Sequence, residues 1–241
     1  MDAISVVIPA YNEEEHIGRT LESIISYFEG KDIEFAIIVV DDGSTDTTNS
    51  IVLDKKDSRI RVVRLDSNLG KGAAVKTGLS MAKNPLVLIT DSDLATPINE
   101  FEKMIDYCHE GYDIVIASRN MKGSFIQVKQ PKYRQMMGRA FPYIVKMVAL
   151  RGISDTQCGF KLLKRKVAMR ISPLLSINGY AFDVEFLAIA RESGFTIKEV
   201  PVMWVDKHGS KVSPLRDAPR MLWDLVRIRW HRIKGNYRRT R

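Results

Sequence analysis

Short apolar runs recur along the first half of this chain. Each is followed by a polar turn and then by apolar residues at helical spacing. Residues 4–8 (ISVVI) are closed by Pro9 and the acidic YNEEE, after which Ile17, Leu21, Ile24, Ile25 and Phe28 mark one face of a helix from about Glu14 to Phe28. Residues 34–40 (EFAIIVV) predict a second buried strand, and in the DDGSTDTT that follows, Asp46 or a nearby threonine can cap the next helix. Residues 60–65 predict a third strand, and NLGKGAAVKTGLSMA a glycine-rich turn running into a helix. Strand 86–90 ends in two carboxylates one residue apart, and a helix near 97–108 and a strand at 113–117 complete this half. Residues 120–132 are polar and punctuated by Gly and Pro, which predicts a loop. Beyond it the pattern predicts a helix at 133–150, a turn and strand in DTQCGFKLLKR, a helix around 182–193, a strand near 195–202 and a tail helix after Pro219.

Alternating strands and helices, with strands apolar on both faces, predict an α/β fold. Its sheet is mostly parallel, Rossmann-like, and covered by helices on both sides. With 241 residues, 45% of them hydrophobic, the chain can build one sizeable core. Cys108 and Cys158 offer no disulfide framework or zinc spacing, and the four histidines are scattered. A reduced, cytoplasmic setting is expected, with no signal peptide before the first strand. No apolar run approaches the ~20 residues of a membrane span; the longest candidate, 140–150, is interrupted by Lys146.

Charge divides the chain. Residues 1–119 hold 12 Lys+Arg against 21 Asp+Glu, a balance of −9, while residues 120–241 hold 25 against 8, a balance of +17. The basic half is therefore expected to meet something anionic: nucleic acid, a membrane, or a phosphorylated substrate. No nucleic-acid-binding motif or regular aromatic platform interleaves the basic residues, so a nucleic-acid partner is not expected.

Asp91 and Asp93 at the carboxyl end of a strand place hard anionic oxygens at the ligand-binding edge of an open α/β sheet. Such oxygens suit Mg²⁺ or Mn²⁺ bridged to substrate phosphates. In PAYNE, Tyr11 can stack on a base and Glu13 can accept hydrogen bonds from a ribose or base. Asp42 follows a buried strand and can accept a nucleobase N–H, with Gly43 allowing close backbone approach. The amides of NLGKG, with Lys71, suit a phosphate or a base edge. Neither G-x-x-x-x-G-K-[ST] nor G-x-G-x-x-G is present, which speaks against P-loop and dinucleotide-binding readings. Arg119 should project at the same edge as Asp91 and Asp93; Arg134, Arg139 and Lys211 are further candidates for phosphate oxygens, and Arg139 is the one that reads best as a plain surface charge.

The ordered set VVIPAYNEE, VVDDGSTD, NLGKG, TDSDLAT, SRN, SDTQCGFKLLKR, YAFDVEFL and EVPVMWVDKHGSK resembles family 2 glycosyltransferases of the GT-A fold. More narrowly it is similar to polyprenyl-phosphate sugar synthases, with the DTQCGFK, FDVE and W-x-D-x-x-G-S-K blocks nearer the dolichyl-phosphate glucosyl enzymes than the mannosyl ones. The resemblance covers about residues 4–230. It implies a catalytic unit over 1–215, with a nucleotide- and metal-binding half (1–119) and an acceptor-binding half (120–215), followed by a basic amphipathic tail (216–241). By resemblance, Pro9, Tyr11, Glu13, Asp42, Lys71, Asp91 and Ser92 line the nucleotide pocket. Asp91 and Asp93 hold Mg²⁺ or Mn²⁺, with Gln157 as a further metal contact. Arg119, Arg134 and Lys211 grip the acceptor phosphate and leaving diphosphate. Asp183, Glu185 and Ser210 are candidates for sugar or acceptor contacts. Eukaryotic glucosyl relatives carry an N-terminal membrane span, whereas this chain begins at the first strand. The Q-x-x-R-W of processive members is also missing: Arg229-Trp230 lacks the glutamine.

The resemblance implies transfer of a hexose, with inversion, from a nucleotide sugar to a polyprenyl or dolichyl monophosphate. UDP-glucose is favoured over GDP-mannose. An acceptor phosphate needs no general base, since its second pKa is near ~6, whereas a saccharide or protein hydroxyl would require one, with Asp183 or Glu185 as candidates. A lipid acceptor implies peripheral contact with the cytoplasmic face of a membrane. The tail fits such contact, with nine Lys+Arg against two Asp and an apolar stripe at Met221, Leu222, Leu225 and Ile228 near Trp223 and Trp230. The same stripe could instead dock on the protein's own core.

Overall fold

The computed structural model describes residues 3–126, 152–205 and 214–238. Three parallel strands open the chain: Ile4–Ala10 (β1), Phe35–Asp41 (β2) and Ile60–Arg64 (β3), joined by helices Ile17–Gly30 (α1) and Thr48–Asp54 (α2). Lys71–Met81 (α3) leads to Leu86–Ile89 (β4), and Phe101–His109 (α4) leads to Ile114–Ser118 (β5). A two-residue strand, Phe125–Ile126 (β6), lies within the stretch expected to be loop. Then come Lys161–Lys164 (β7), Arg165–Ile171 (α5), Phe182–Glu192 (α6), Ile197–Pro201 (β8), Met203–Trp204 (β9) and Pro214–Ile233 (α7).

The seven-stranded sheet runs β3-β2-β1-β4-β7-β5-β8, and β6 pairs with β9 in a separate two-stranded ribbon. All neighbours in the large sheet are parallel except around β7, which runs antiparallel to both β4 and β5. Strands buried on both faces explain the continuous apolar runs. Val7, Ile38, Val40, Val87, Ile89 and Ile116 turn to one face, where α3, α5, α6 and α7 pack. Val6, Ile8, Ile37, Val39, Leu88 and Val115 turn to the other, against α1 and α4. Successive residues alternate between the two cores, as the pleat requires.

Two further features depart from the sequence expectation. α5 was not expected: its seven residues are too few for a clear helical period, and it is held by burying Val167, Ala168 and Ile171. α7 begins at Pro214 and carries Pro219 inside it, rather than starting after that proline. A proline deletes one helix hydrogen bond. Downstream, Met221, Leu225 and Ile228 are buried in the core, and at roughly 1.5–3 kcal/mol per buried side chain this outweighs the lost bond. The expected helix at 133–150 lies outside the described residues.

Candidate active site

Parallel β1, β2, β4 and β5 deliver the segments after Ala10, Asp41, Ile89 and Ser118 to one edge of the sheet. Because β7 runs the other way, it is its first residue that reaches this edge: Lys161 lies opposite Ile89 and Ile116. Everything below follows from that placement.

The loops after β1 and β2 are joined to each other. Asp42 N–H donates to the Ala10 carbonyl (2.8 Å), Asn12 N–H to Ser44 Oγ (2.9 Å), Glu13 N–H to Thr48 Oγ1 (2.7 Å) and Thr45 N–H to Asn12 Oδ1 (2.8 Å). Asn12 takes a left-handed conformation (φ 52°), which asparagine tolerates better than most residues. Tyr11 and Glu13 are thereby fixed half-buried at the edge, and Pro9 is buried within β1. The Asp42 carboxylate, expected to meet a base, accepts the amides of Leu69 and Gly70, each at 2.8 Å. It thus holds the NLGKG turn in place, and burial pushes its pKa up against those two bonds. The second oxygen of neighbouring Asp41, fully buried, has no hydrogen bond; Arg64 Nε is 3.7 Å away.

Lys71, at the start of α3, reaches Asp91: Nζ to Oδ1 is 2.6 Å. The two side chains are 25% and 32% exposed, so this pair is partly open to solvent rather than sealed in the core. Burial alone would push the Asp91 carboxyl up, but Lys71, with Lys161 and Arg119 further off, holds it below the usual carboxylate range. Burial likewise disfavours the Lys71 charge, and Asp91, Asp183 and Asp93 outweigh it, so the ammonium is firmly protonated. Asp93 is pushed up by burial and by Asp91, with Glu13 adding to the effect; its Oδ1 accepts the Ala95 amide at 2.9 Å. The turn is tight: Leu94 sits at φ 49°, and Thr20 Oγ1 ties α1 to the Ser92 carbonyl at 2.7 Å. The Ser92 side chain itself is buried.

Beneath these carboxylates lies a second ion pair. Lys161, 1% exposed, donates to Asp183 Oδ1 and to the Cys158 carbonyl, both at 2.5 Å. Burial raises Asp183 more than Lys161 and Lys71 lower it. Arg119 arrives where expected, but Asp155 engages its fork through Nε–Oδ2 at 2.6 Å and Nη2–Oδ1 at 2.9 Å. The guanidinium lies 5.5 Å over the Trp204 ring. Asp155 also accepts the Arg119 and Gln157 amides, and this ring of donors holds its carboxyl below the usual range despite burial. The turn that Asp155 starts brings Gly159 against Asp91, so closely that a Cβ there would overlap the carboxylate. Gln157, half-buried on the same turn, donates to the Tyr180 carbonyl at 3.5 Å.

The structure therefore brings together Glu13, Lys71, Asp91, Asp93, Arg119 and Asp183. Glu185 corrects its expectation: it is fully buried, and its carboxylate oxygens are taken by Ser176, Ile177 and Tyr237 rather than turned to the cleft. Arg134, Arg139, Ser210 and Lys211 lie outside the described residues.

The family model for "Glycosyl transferase family 2" matches residues 5–172, which takes in every part of this cluster except Asp183. The chain belongs to glycosyl transferase family 2. Among curated members it is 37% identical to dolichyl-phosphate beta-glucosyltransferase of Dictyostelium discoideum, over 96% of this chain and 75% of that one. The Saccharomyces cerevisiae and Homo sapiens proteins of the same name are 34% and 32% identical, each over 98% of this chain and 76% and 77% of their own. Among solved structures, mannosyl-3-phosphoglycerate synthase from Rubrobacter xylanophilus superposes with a TM-score of 0.69 at 21% identity, covering 100% of this chain and 77% of that one. Glucosyl-3-phosphoglycerate synthase from Mycobacterium tuberculosis, solved with Mn²⁺, UDP-glucose and phosphoglyceric acid, gives 0.67 at 24% identity, covering 96% and 79%. At these identities the two structures establish the shared fold.

For a family 2 enzyme the donor set at Asp91 and Asp93 fits a hard divalent ion. No group of three or more His, Cys, Asp or Glu able to hold a metal occurs among the described residues. Mg²⁺ and Mn²⁺ sites of the substrate-bridging kind, however, need only one or two carboxylates, the other ligands being water and phosphate. Asp155, Gly159 and Lys161 were not singled out from sequence. Their signal was the SDTQCGFK block itself, but its place beside Asp91 depends on β7 being antiparallel.

Proposed function

We propose that this enzyme transfers a hexose, glucose foremost, from UDP-glucose to a polyprenyl monophosphate such as dolichyl phosphate, inverting the anomeric centre and requiring Mg²⁺ or Mn²⁺. The observation that carries the reading is the clustering of Lys71 and Arg119 around Asp91 and Asp93, in a chain matching dolichyl-phosphate beta-glucosyltransferases along almost its whole length. A divalent ion held by Asp91 and Asp93 would neutralise charge building on the leaving diphosphate. Lys71, already protonated beside Asp91, is placed to meet the same phosphates. Pro9, Tyr11, Glu13, Asp42 and Ser92 shape the nucleotide side, Gln157 would add a further metal contact from the turn that carries Gly159 against Asp91, and Arg119, Arg134 and Lys211 serve the anionic acceptor.

The acceptor assignment has its own support. A lipid monophosphate is largely dianionic at neutral pH, with a second pKa near ~6, and needs no base. A hydroxyl acceptor needs one. Of the carboxylates offered for that task, Asp183 is buried and bonded to Lys161, and Glu185 is committed elsewhere.

A lipid acceptor also calls for a membrane surface, and α7 offers a face for it. Met221, Leu225 and Ile228 dock on the core, while Leu222, Trp223, Val226, Trp230 and Ile233 remain 44–70% exposed on the other side. Arg220, Arg227 and Arg229 lie along the same helix and Lys234 follows directly on its end, the character of a helix lying in an anionic interface. No helix among the described residues is long and apolar enough to cross a membrane.

The test is transfer of labelled sugar from UDP-glucose, and in parallel GDP-mannose, to polyprenyl phosphate with Mg²⁺ or Mn²⁺. A metal-dependent charged-lipid product from UDP-glucose is expected, lost by at least about a hundredfold in Asp93→Ala. Donor hydrolysis without lipid product would reject the lipid acceptor and turn attention to a hydroxyl.

A further inference from the structure

Glu185 is a buried acid that the proposed chemistry does not use, and its surroundings point to another task. It is 0% exposed, in the first turn of α6. Four donors converge on it: Ser176 N–H (2.9 Å) and Ile177 N–H (2.8 Å) on Oε2, Ser176 Oγ (2.6 Å) and Tyr237 Oη (2.8 Å) on Oε1. Three of the four come from one short segment, 176–177; the fourth comes from the turn that follows α7. Four hydrogen bonds and a helix N-terminus replace the water a buried carboxylate gives up.

The segment so held forms the floor under the NLGKG turn. The Asn178 carbonyl accepts the Gly72 amide at 2.7 Å, and the Leu175 carbonyl accepts Lys76 Nζ at 2.9 Å. Packing is close enough that a Cβ on Gly70 would overlap the Asn178 carbonyl, and one on Gly72 the Ile177 carbonyl. The turn resting on this floor is the one whose Leu69 and Gly70 amides meet Asp42 and whose Lys71 meets Asp91. On the far side, Tyr237 is 2% exposed, and burial together with Glu185 pushes its hydroxyl pKa well above the ordinary tyrosine range, so it stays a donor. Its backbone is tied down by Arg170, whose Nη2 donates to the carbonyls of Tyr237 (3.4 Å) and Arg238 (3.0 Å).

We propose that Glu185 is a positioning residue: it clamps 176–178 beneath the Gly70–Lys71–Gly72 turn, and Tyr237 closes the clamp, so that affinity for the nucleotide sugar depends on how the segment after α7 is seated. This rests on reading that turn as part of the nucleotide pocket. Loosening the clamp lowers the floor under the turn and withdraws Lys71 from the diphosphate. It touches no reacting atom, so its signature is weaker donor binding rather than slower chemistry.

Tyr237→Phe keeps the ring and removes one bond; Ser176→Ala removes another from the opposite side. Three readouts separate positioning from mere stability: UDP-glucose affinity by calorimetry, KM against kcat for the donor, and amide exchange at Gly72 and Ile177 without nucleotide. For each variant the expected result is donor Kd and KM raised about fivefold, as for loss of one buried hydrogen bond, with kcat changed by less than about twofold. Exchange at Gly72 is expected to quicken by a similar factor. A lowered melting temperature with donor affinity and Gly72 exchange at wild-type values would overturn the proposal. If the wild-type protein binds no UDP-glucose, the reading of the pocket fails instead, and Gly72 exchange alone then decides the clamp.

Discussion

At the scale of single residues, the candidate site depends on a glycine that carries no chemistry. Gly159 lets the 155–159 turn close on Asp91, and a methyl there has no room beside the carboxylate. Gly159→Ala should therefore leave a folded protein whose Asp91 is displaced. Activity should fall by about a hundredfold, the scale set by an ångström of misplacement, with the melting temperature little changed; the paired assay of turnover and thermal unfolding checks it. Asp91 and Asp93 could be read from sequence because they end an apolar strand, and a strand's carboxyl end is where an open sheet binds ligands. Gly159 and Lys161 could not, because their approach depends on the direction of a four-residue strand, which composition does not reveal. Glu185 could not be placed from sequence for another reason. An acid in the first turn of a helix satisfies capping, sugar binding and burial equally well on paper, and the four donors around it come from segments distant in sequence.

At the scale of elements, α7 shows how one amphipathic pattern can serve two surroundings. Its apolar positions exceed what one face can bury: Met221, Leu225 and Ile228 reach the core, whereas Trp223 (66% exposed) and Trp230 (56%) do not. The sequence reading set core against membrane as alternatives; the geometry gives one face to the core and leaves the other exposed. Trp223→Ser with Trp230→Ser should weaken binding to vesicles containing anionic lipid by at least about tenfold, since interfacial binding scales with buried apolar area. Stability should hold, because neither ring contributes to the core; vesicle sedimentation alongside urea unfolding reads both quantities. Unchanged sedimentation would remove α7 from the membrane contact. The main strands were legible to within a residue or two because burial on both faces leaves an uninterrupted apolar run. α5 was not, being seven residues long and shaped by its neighbours.

At the scale of the whole molecule, the Arg119–Asp155 pair joins the end of β5 to the turn before β7. Its carboxylate is 3% exposed and its guanidinium 29%. The folded Asp155 titrates below its reference value of 3.8, so the pair's stabilisation is fully present above that pH and is lost as pH falls through the lower, folded value. Asp155→Asn should cost about 3 kcal/mol at pH 7, the low end for breaking a buried pair. In urea titrations from pH 7 to pH 3, the gap between wild type and variant should hold constant to about pH 4 and narrow below it. A gap that narrows already between pH 7 and pH 5 would show that Asp155 is not held down in the folded state. The acidic and basic halves seen in composition also meet in one sheet here, since β7 and β8 from the second half flank β5 from the first. That arrangement sets an order of events during synthesis. When residue 119 leaves the ribosome, β4 has β1 on one side and bare backbone on the other, because its second partner, Leu162 opposite Leu88, is more than seventy residues away along the chain. Contacts of such separation form late and slowly. The growing chain thus carries an apolar, unpaired edge strand through much of its translation, a species that invites wrong partners. The carboxylates at the end of β4 acquire Gly159 and Lys161 as neighbours only when β7 slots in, so the site is finished by the same step that closes the sheet.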